Sequence, residues 1–251
     1  MINVPDTLRV LTSDRPLAGQ VALVTGGSRG IGKAIARKLA QLGAALSLCA
    51  RDTAALQAAA QELTPFAPKL VVLPADVTKA ADVSSLVQAT ERALGPITLL
   101  VNNAGIGNPG FGPLQNKSES DWDIVLSTNL KSVFLVSRAV APLMIERRRG
   151  DIVIISSLAG KNTFAGGALY CASKWGLQGL AGCMAEDLRA YGIRVSVVCP
   201  GSVFTDFSGR GPKDPTKVLT PEDVAHAVAM LALQGPQSFI SEVQLRPVSK
   251  P

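Results

Sequence analysis

The chain has few aromatic residues and only one histidine. Aromatic residues make up 4% of its 251 residues, which is too few for the stacked rings that bind single-stranded nucleic acids. The single histidine, His226, lies in a predicted helix. Neither a nucleophile nor a set of metal ligands accompanies it in the sequence, so it is interpreted as a structural or surface residue. We expect no metal ion.

Cysteines are also few, and none has the spacing of a metal site or a redox pair. Without a CxxC pattern, and with apolar or small residues around each, they are predicted to be free and mostly buried thiols in a reducing cytoplasm. The four are Cys49, Cys171, Cys183 and Cys199.

Long apolar runs are absent as well. No uninterrupted run approaches the roughly 18 residues that a membrane helix requires. Charged residues such as Asp6 and Arg9 interrupt any signal peptide near the N-terminus. We therefore expect a cytoplasmic protein without a membrane partner. Residues 1–18 are predicted to be a frayed leader, and residues 19–251 a single catalytic domain.

The excess of positive charge is moderate. The net charge is +6, and the one conspicuous basic cluster is Arg147-Arg148-Arg149, between a predicted helix and a Gly-Asp turn. This cluster is interpreted as the solvated end of a helix, and no nucleic-acid partner is expected. The positive charge is instead available to an anionic cofactor.

Short β-branched runs alternate with Ala- and Leu-rich stretches along the chain. This alternation indicates βαβ units and a parallel sheet, and nearly continuous apolar strands indicate a sheet covered on both faces. The 47% of hydrophobic residues is enough for a substantial core. We predict an α/β fold: one doubly wound, Rossmann-type domain with about seven parallel strands and helices on both faces. The predicted strands are Val21–Thr25, Ala45–Ala50, Leu70–Ala75, Leu99–Asn102, Asp151–Ser156, Arg194–Cys199 and Glu242–Arg246, and the predicted helices are Gly32–Leu42, Thr53–Glu62, Ala80–Ala93, Asp121–Glu146, Tyr170–Tyr191 and Pro221–Leu233.

Two irregular segments rich in Gly and Pro follow strands, at Asn108–Pro113 and Ser208–Pro215. Ligands of open α/β sheets bind beyond the carboxyl ends of the strands. We therefore predict that these two loops enclose a substrate.

A glycine-rich loop joins the first predicted strand to the first predicted helix. It reads Gly26-Gly27-Ser28-Arg29-Gly30-Ile31-Gly32. Its glycines allow a tight turn and a close approach to a pyrophosphate, and the helix that follows presents unpaired N–H groups to that anion. The loop predicts a dinucleotide site.

The end of the second strand bears on the choice of dinucleotide. Enzymes that use NAD usually carry an Asp or Glu about 20 residues past the loop, which bonds the ribose 2′-hydroxyl. Here the strand ends in Arg51, followed by Asp52. Arg51 and Arg29 could clamp a 2′-phosphate through charge-assisted bonds, whereas Asp52 would favour NAD. We predict NADP(H), with Asp52 as the rival.

Tyr170 and Lys174 lie four residues apart at the start of a long predicted helix, and therefore on one face of it. A free tyrosine has a pKa near 10. A neighbouring ammonium group and an oxidised nicotinamide would favour the phenolate and lower that pKa. Such a pair can give a proton to a carbonyl oxygen or take one from an alcohol. A lone YxxxK string is common, so the prediction depends on the motifs around it.

Taken together, these motifs resemble those of the short-chain dehydrogenase/reductase family over roughly residues 19–240. The members that the chain resembles include 3-oxoacyl-carrier-protein reductases and carbonyl reductases. The resemblance rests on seven features in this order: Thr25–Gly32, Asp76-Val77, Asn102–Gly105, Asn129, Ser157, Tyr170–Lys174 and Pro200-Gly201. The resemblance implies a single Rossmann domain and hydride transfer between a nicotinamide and a carbonyl carbon.

The resemblance also implies roles for individual residues. Tyr170 would act as the acid or base, Ser157 would polarise the carbonyl, and Asn129 would hold a water in a relay with Lys174. Ser156 is the alternative to Ser157, and a surface position is the alternative for Asn129. The implied cofactor contacts are Gly26, Ser28, Arg29, Gly30, Ile31, Gly32, Arg51, Asp76, Val77, Asn103, Ala104, Tyr170, Lys174, Pro200, Gly201, Val203 and Thr205, while Asn102 would tie neighbouring strands together and Thr205 could instead cap a turn.

The C-terminal part departs from the family pattern. The segment after the last predicted strand lacks the family's Thr-Gly and paired glycines, and Phe204–Leu219, usually a substrate lid, is short. A short lid favours an open site with a broad carbonyl range. The expected function is NADPH-dependent reduction of a ketone or a 3-oxoacyl thioester by a homodimer or homotetramer. The alternative is an NAD(P)-dependent alcohol, sugar or steroid dehydrogenase.

Overall fold

A computed structural model describes residues 14–107, 112–208 and 214–249. Seven parallel strands form one sheet in the order β3-β2-β1-β4-β5-β6-β7. The strands are β1 (Val21–Thr25), β2 (Ala45–Ala50), β3 (Leu70–Pro74), β4 (Leu99–Asn102), β5 (Gly150–Ile155), β6 (Ile193–Pro200) and β7 (Glu242–Leu245). The predicted doubly wound sheet is confirmed, with strand ends within about two residues of those expected.

The helices cover both faces of this sheet. One face carries α3, α5 and α6, and the other carries α1, α2 and α7, each packed on its own apolar cluster. The helices are α1 (Gly30–Gln41), α2 (Thr53–Leu63), α3 (Ala80–Leu94), α4 (Glu119–Leu126), α5 (Ser132–Arg147), α6 (Ala168–Arg189) and α7 (Pro221–Ala232).

Strand β1 shows why these apolar runs form a central strand. Its side chains alternate between the faces, so that Val21 and Leu23 lie in one core cluster and Ala22 and Val24 in the other. All five residues of the strand are buried. Burial of each large aliphatic side chain stabilises the fold by roughly 1.5–3 kcal/mol, and a strand with both faces buried has no polar side to expose.

The order of the strands places a crevice at the end of β1. The chain runs from β1 outward through β2 to β3, and then returns to β4 on the opposite side of β1. Loops after β1 and β4 therefore leave the sheet in opposite directions, which opens a ligand site at the carboxyl edge. The glycine loop and the segment after Asn102 both start at this edge.

The helix predicted over Asp121–Glu146 is instead three consecutive pieces. A π-helical turn, Ser127–Lys131, separates α4 from α5. The stretch Glu119–Arg147 has the length and, at 1.3, the mean hydropathy of a membrane span, and half of its most apolar window is buried inside the fold. Burial of this kind is also found in core helices that pack against a sheet.

The predicted boundary of the leader at residue 18 is wrong for its last residues. Leu17 is 2% exposed and belongs to the core cluster with α1 and α7. Its N–H donates a 2.8 Å hydrogen bond to the carbonyl of Leu42, just after α1. The packed structure therefore begins before residue 19, because an apolar side chain at position 17 closes one end of this cluster. Residues 1–13 lie outside the described part.

Most of the two loops predicted to enclose a substrate also lies outside the described part, at 108–111 and 209–213. The base of the second one is described. Phe204 N donates to the carbonyl of Leu219 (2.7 Å), and Leu219 N donates to that of Ser202 (2.9 Å). The two ends of the shortened lid segment are thus paired to each other.

Several smaller expectations also have outcomes. Three of the four cysteines are buried and all are free, but Cys183 is exposed. No group of His, Cys, Asp and Glu in the described residues could hold a metal ion. The arginine cluster does lie at a helix end: Arg147 pairs with Glu91, and Arg148 lies over the ring of Tyr191.

Candidate active site

The glycine loop is shaped by two close backbone approaches. Gly26 has a φ of +66°, in the left-handed region that favours glycine. A Cβ on Gly32 would lie 2.2 Å from the carbonyl oxygen of Gly26, which is closer than any side chain allows. These two glycines are therefore required by the turn itself.

Asn103 ties this loop to the end of β4. Its side-chain nitrogen donates to the carbonyls of Thr25 (2.9 Å) and Gly26 (3.2 Å). The Thr25 hydroxyl in turn accepts hydrogen bonds from the N–H groups of Asn103 and Ala104, both at 3.0 Å. The amide of Asn103, predicted to line the path of the ribose, thus holds the turn. Thr25 was predicted only as part of a motif.

Asn102 also has a structural role, but it differs from the role expected from the sequence. Its side-chain nitrogen donates a 3.0 Å hydrogen bond to the hydroxyl of Ser137 on α5. The residue is 3% exposed. It therefore connects β4 to a helix and does not tie neighbouring strands together, because its side chain leaves the sheet plane.

The N-terminus of α1 has no cap from a side chain. Its N-cap residue, Arg29, makes no capping bond, and the first turn contains no acidic residue. Helices α3 and α6 likewise lack a side-chain cap, whereas α2, α4 and α7 are capped by Asp52, Ser118 and Thr220. The first turn of α1 thus offers no carboxylate to the partial positive charge of its helix end, next to the loop of Ser28 and Ile31. An anionic group fits there.

The end of β2 separates the two rival cofactor residues. The Asp52 carboxylate accepts a 3.0 Å hydrogen bond from Ala55 N and so caps α2. Arg51 is exposed, and within the described residues neither it nor Arg29 makes an ion pair. The acidic side chain is occupied, and the two guanidinium groups remain available to a phosphate.

Asp76 and Val77 follow β3 at the same edge. Burial acts to raise the pKa of Asp76, but hydrogen bonds from Thr78 and the charges of Arg51 and Lys79 lower it below the usual value. The Asp76 carboxylate accepts from Thr78 N (3.0 Å) and from its hydroxyl (2.7 Å), while Val77 is buried. The carboxylate of Asp76 thus forms a local turn, and its charge stays close to Arg51.

Tyr170 lies in the first turn of α6 and faces Ser157, which follows β5. Burial raises the pKa of Tyr170 to about 12, and a hydrogen bond with the Ser157 side chain lowers it in part. The lowering predicted from the sequence applies with an oxidised nicotinamide bound, and it considered the ammonium group but not desolvation. At neutral pH the Tyr170 phenol is therefore protonated.

Lys174 is one turn further along α6 and is 5% exposed. Its Nζ donates a 3.0 Å hydrogen bond to the carbonyl of Ile155 and lies 5.7 Å from the centre of the Tyr170 ring. Burial lowers the pKa of Lys174 to about 8, a shift that the nearby Cys199 partly opposes. The predicted pair is thus brought together on one face of α6.

The alternative serine, Ser156, points elsewhere. Its hydroxyl donates to the carbonyl of Lys174 (3.4 Å) and accepts from Gln178 (2.9 Å). The Ser157 hydroxyl accepts from Ala159 N (3.1 Å) and faces the Tyr170 phenol. The choice of Ser157 over Ser156 agrees with this geometry.

Asn129 is 1% exposed and lies in the π-helical turn, so the surface alternative is wrong. Its Oδ1 accepts from Ile106 N (2.8 Å), and its Nδ2 donates to the carbonyl of Ile106 (3.1 Å) and to the hydroxyl of Ser173 (3.2 Å). Ser173 donates to the carbonyl of Tyr170 (2.7 Å). Asn129 thus connects the segment after β4 to the turn of α6 that holds Tyr170. π-helical turns are frequent at functional sites.

The remaining predicted contacts follow β6. Strand β6 ends at Pro200, and Gly201 N donates a 2.8 Å hydrogen bond to Leu245 of β7. Val203 is buried, and a Cβ on Gly30 of the glycine loop would lie 3.4 Å from the Thr205 methyl. Thr205 also accepts from Phe207 N at 3.4 Å, as its alternative capping role requires. These residues thus follow a strand on the opposite side of β1 from Asp76.

Two residues of the site were not singled out from the sequence. The ring of Phe207 lies edge-on to that of Tyr170, with 6.2 Å between centres, and is 44% exposed. Gln178 reaches both Ser156 and Cys199. Phe207 was predicted only as part of the lid segment Phe204–Leu219, and Gln178 only as one residue of a helix. For Gln178 an i, i+4, i+8 count from Tyr170 could have found it.

The glycine loop, the Tyr170–Lys174 pair and Ser157 at the carboxyl edge of a doubly wound sheet define a dinucleotide-dependent oxidoreductase. A family model described as short chain dehydrogenase matches residues 20–215. The chain belongs to the short-chain dehydrogenase/reductase family, and the resemblance noted from its motifs is confirmed.

Individual relatives agree with this assignment. The chain is 45% identical to a metagenomic short-chain oxidoreductase solved in complex with NADP, with a TM-score of 0.82 and coverage of 93% of this chain and 99% of that one. It is 36% identical to 2-(S)-hydroxypropyl-CoM dehydrogenase 3 of Xanthobacter autotrophicus, over 90% of this chain and 93% of the relative. It is 34% identical to a 3-oxoacyl-[acyl-carrier-protein] reductase of Synechocystis, over 90% and 94%.

One relative is much longer than this chain. The match to the glycine betaine reductase ATRR of Emericella nidulans has 33% identity and covers 94% of this chain but only 19% of that protein. The shared part is thus one portion of a larger chain, and the activity of the whole relative is not carried over.

Proposed function

We propose that this protein is an NADPH-dependent carbonyl reductase that converts a ketone, or a 3-oxoacyl thioester, into an alcohol. The observation that carries the proposal is the meeting of the Tyr170 phenol with the Ser157 hydroxyl, beside the buried ammonium group of Lys174. Reduction of a carbonyl requires a proton donor at the oxygen, and the phenol holds its proton at neutral pH.

The residues of the chain have separate tasks in this reaction. The Ser157 hydroxyl donates to the carbonyl oxygen of the substrate and stabilises the charge that develops on it. Tyr170 delivers its proton to the same oxygen, and the ammonium charge of Lys174 stabilises the phenolate that remains. Asn129 holds a water that connects Lys174 to solvent. When bound, the reduced nicotinamide supplies the hydride.

NADP(H) fits the residues at the end of β2 better than NAD(H) does. The Asp52 carboxylate, which would bond a ribose 2′-hydroxyl, caps α2 instead. The exposed guanidinium groups of Arg51 and Arg29 would hold a 2′-phosphate, and the uncapped N-terminus of α1 would take the pyrophosphate. The relative solved with NADP supports this preference.

The test is a panel of ketones, acetoacetyl thioesters, quinones and sugars, assayed by the loss of NADPH absorbance. Each active substrate is then measured with NADPH and with NADH. We expect a kcat/KM that is at least about tenfold higher with NADPH, because one charge-assisted contact contributes roughly 1.5–3 kcal/mol. A clear preference for NADH would overturn the assignment of the cofactor.

A second candidate is the oxidative reaction of an alcohol, sugar or steroid. It is favoured by the 36% identity to a relative named as a dehydrogenase. The two directions are separated by their pH dependence. Tyr170 must lose its proton before it can act as a base, so oxidation should accelerate as the pH rises toward the pKa of Tyr170, whereas reduction, which uses that proton, should not.

The assembly and the location of the protein remain proposals of the same kind. We propose a cytoplasmic homodimer or homotetramer that acts on small molecules. Helices α4, α5 and α6 carry exposed large apolar side chains, which favour burial against another surface. They are Trp122, Ile124, Phe134 and Trp175. Light scattering of the purified protein gives its mass directly, and a monomer would contradict the proposed assembly.

A further inference from the structure

Gln178 lies on the catalytic face of α6, one turn after Lys174 and two turns after Tyr170. The spacing of four residues between consecutive members places all three on one face of the helix. Unlike the other two, Gln178 has no role in the reaction proposed above. Its side chain nevertheless makes two directed contacts inside the fold.

The Nε2 atom of Gln178 bonds the ends of two different strands. It donates a 2.9 Å hydrogen bond to the hydroxyl of Ser156, which follows β5, and a 3.4 Å bond to the sulfur of Cys199 on β6. Ser156 and Cys199 are both buried. One amide group therefore connects α6 to the carboxyl ends of two neighbouring strands.

Both contacts lead directly to Ser157. Ser156 is its neighbour in the chain, and the hydroxyl of Ser156 also donates to the carbonyl of Lys174 at 3.4 Å. The backbone N–H of Ser157 makes a hydrogen bond with the sulfur of Cys199. Cys199 therefore accepts from Gln178 on one side and from Ser157 on the other. No other side chain in the described residues bonds both of these strand ends to α6.

The backbone around Gln178 is adapted to this contact. A Cβ on Gly160, in the 3₁₀ turn that follows Ser157, would lie 2.9 Å from Gln178 Nε2 and 2.7 Å from the carbonyl of Lys174. Only a glycine at this position lets the turn approach α6 closely enough for the amide to reach the strand ends.

We propose that Gln178 is a positioning residue for the Ser157–Tyr170 pair: its amide holds Ser156 and Cys199 against α6 and thereby fixes the Ser157 hydroxyl opposite the Tyr170 phenol. The inference rests on the proposed function, since it assumes that these two hydroxyls act on one carbonyl oxygen. A displacement of about 1 Å at reacting groups costs up to about a hundredfold in rate.

Two variants remove the donor in different ways. Gln178→Leu replaces the amide with an apolar group of similar size. Gln178→Glu keeps the shape, but a carboxylate has no N–H to offer Ser156, whose own proton is given to Lys174. The matched control is Ser47→Ala, which removes another buried side-chain bond, the 2.7 Å contact of Ser47 with Thr90 between β2 and α3.

We expect both Gln178 variants to lose on the order of tenfold in kcat while their affinity for NADPH is unchanged. The Ser157 bond lowers the pKa of Tyr170, so the rise of the oxidative rate with pH should move to higher pH in both. Ser47→Ala should lower the melting temperature and leave kcat and the pH profile as they are.

A purely structural role makes a different prediction. If the Gln178 variants lose melting temperature but keep the kcat and pH profile of the unsubstituted protein, the inference is overturned. A crystal structure of Gln178→Leu gives a readout that needs no substrate, and we expect a longer distance between the Ser157 and Tyr170 hydroxyls. If that distance is unchanged, the inference is overturned, whether or not the protein reduces a carbonyl. A failure to reduce any carbonyl, by itself, counts against the proposed function and not against this inference.

Discussion

The ammonium group of Lys174 donates a 3.0 Å hydrogen bond to the carbonyl oxygen of Ile155, the last residue of β5. Lys174 is 5% exposed, and none of the ion pairs within the described residues includes it. Burial of a charge with one hydrogen bond and no counter-ion disfavours that charge, which is why its pKa falls to about 8. The site thus carries a stability cost.

This cost gives a prediction for Lys174→Met. Between pH 8 and 10.5 the unfolded chain keeps a proton on Lys174 that the folded protein has lost, so the free energy of unfolding rises with pH across this window. Below pH 8 both states are protonated, and the cost, on the order of 3 kcal/mol, is complete. We expect Lys174→Met to remove this pH dependence, as measured by urea unfolding at several pH values.

The comparison is between the variant and the unsubstituted protein, which cancels other groups that titrate in this range. The stability of the variant relative to the parent should be greatest below pH 8 and should decrease above it. The variant also loses the hydrogen bond to Ile155, which leaves that carbonyl without a partner. This loss lowers the free energy of unfolding of the variant by about 1–3 kcal/mol at every pH. A pH-independent difference would show that Lys174 is not destabilised by burial.

Tyr170→Phe tests the proposed acid. The variant removes one hydroxyl and retains the ring that contacts Phe207. We expect turnover to fall by at least about a hundredfold, the lower range for loss of a general acid. NADPH binding, followed by fluorescence, should stay within about twofold. Tyr191→Phe is a suitable control, since Tyr191 lies just beyond the opposite end of α6. Activity retained by Tyr170→Phe would falsify its role.

Arg51→Ala tests the choice of cofactor. We expect kcat/KM with NADPH to fall by about 10- to 100-fold and kcat/KM with NADH to stay nearly constant, because only NADPH carries the 2′-phosphate. Arg149→Ala serves as a control for general charge effects, as Arg149 precedes β5 at the other edge of the sheet. Equal losses with both cofactors would assign Arg51 to the fold and not to the phosphate.

Asp52→Ala tests the rival residue. Because the Asp52 carboxylate caps α2, its loss should lower the free energy of unfolding by about 1 kcal/mol. The ratio of activities with NADPH and NADH should not change. Ser118→Ala removes the cap of α4 and should cost a similar amount. A shift of cofactor preference in Asp52→Ala alone would mean that the carboxylate also contacts the ribose.

Gly32→Ala tests the shape of the glycine loop. The new Cβ would lie 2.2 Å from the carbonyl oxygen of Gly26, and backbone must move to admit it. We expect at least tenfold weaker NADPH binding and a lower melting temperature. Gly179→Ala is the matched control, because a Cβ on Gly179 of α6 meets nothing within 4 Å. That change should stabilise the helix by about 0.5–1 kcal/mol and leave binding unaltered.

The positions of the strands and of most helices along the chain, with their approximate limits, could be predicted from the sequence. The reason is that hydrophobic period, strand length and glycine position are local properties, as the continuous apolar run of β1 shows. The combination of Tyr170 and Lys174 with the other motifs was likewise sufficient to recognise the family.

The interruption between α4 and α5 was not predictable in this way. The π-helical turn places Asn129 against Ile106 and Ser173, both distant in sequence. A π-helical turn has less favourable backbone hydrogen bonds than an α-helix, and tertiary contacts such as these offset that loss. The burial of Leu17 has the same cause, because its partners in α1 and α7 come together only when these helices pack on the sheet.

The desolvation of Tyr170 and Lys174 was decided by the tertiary structure alone. From the sequence, the Lys174 ammonium group together with an oxidised nicotinamide was expected to lower the pKa of Tyr170, since the spacing on one helix places the two side chains close together. The fold buries Lys174 and partly buries Tyr170, and this desolvation raises the pKa of Tyr170 to about 12 and lowers that of Lys174 to about 8. Spacing along a helix determines which side chains are neighbours, whereas their desolvation depends on the strands and loops that cover them.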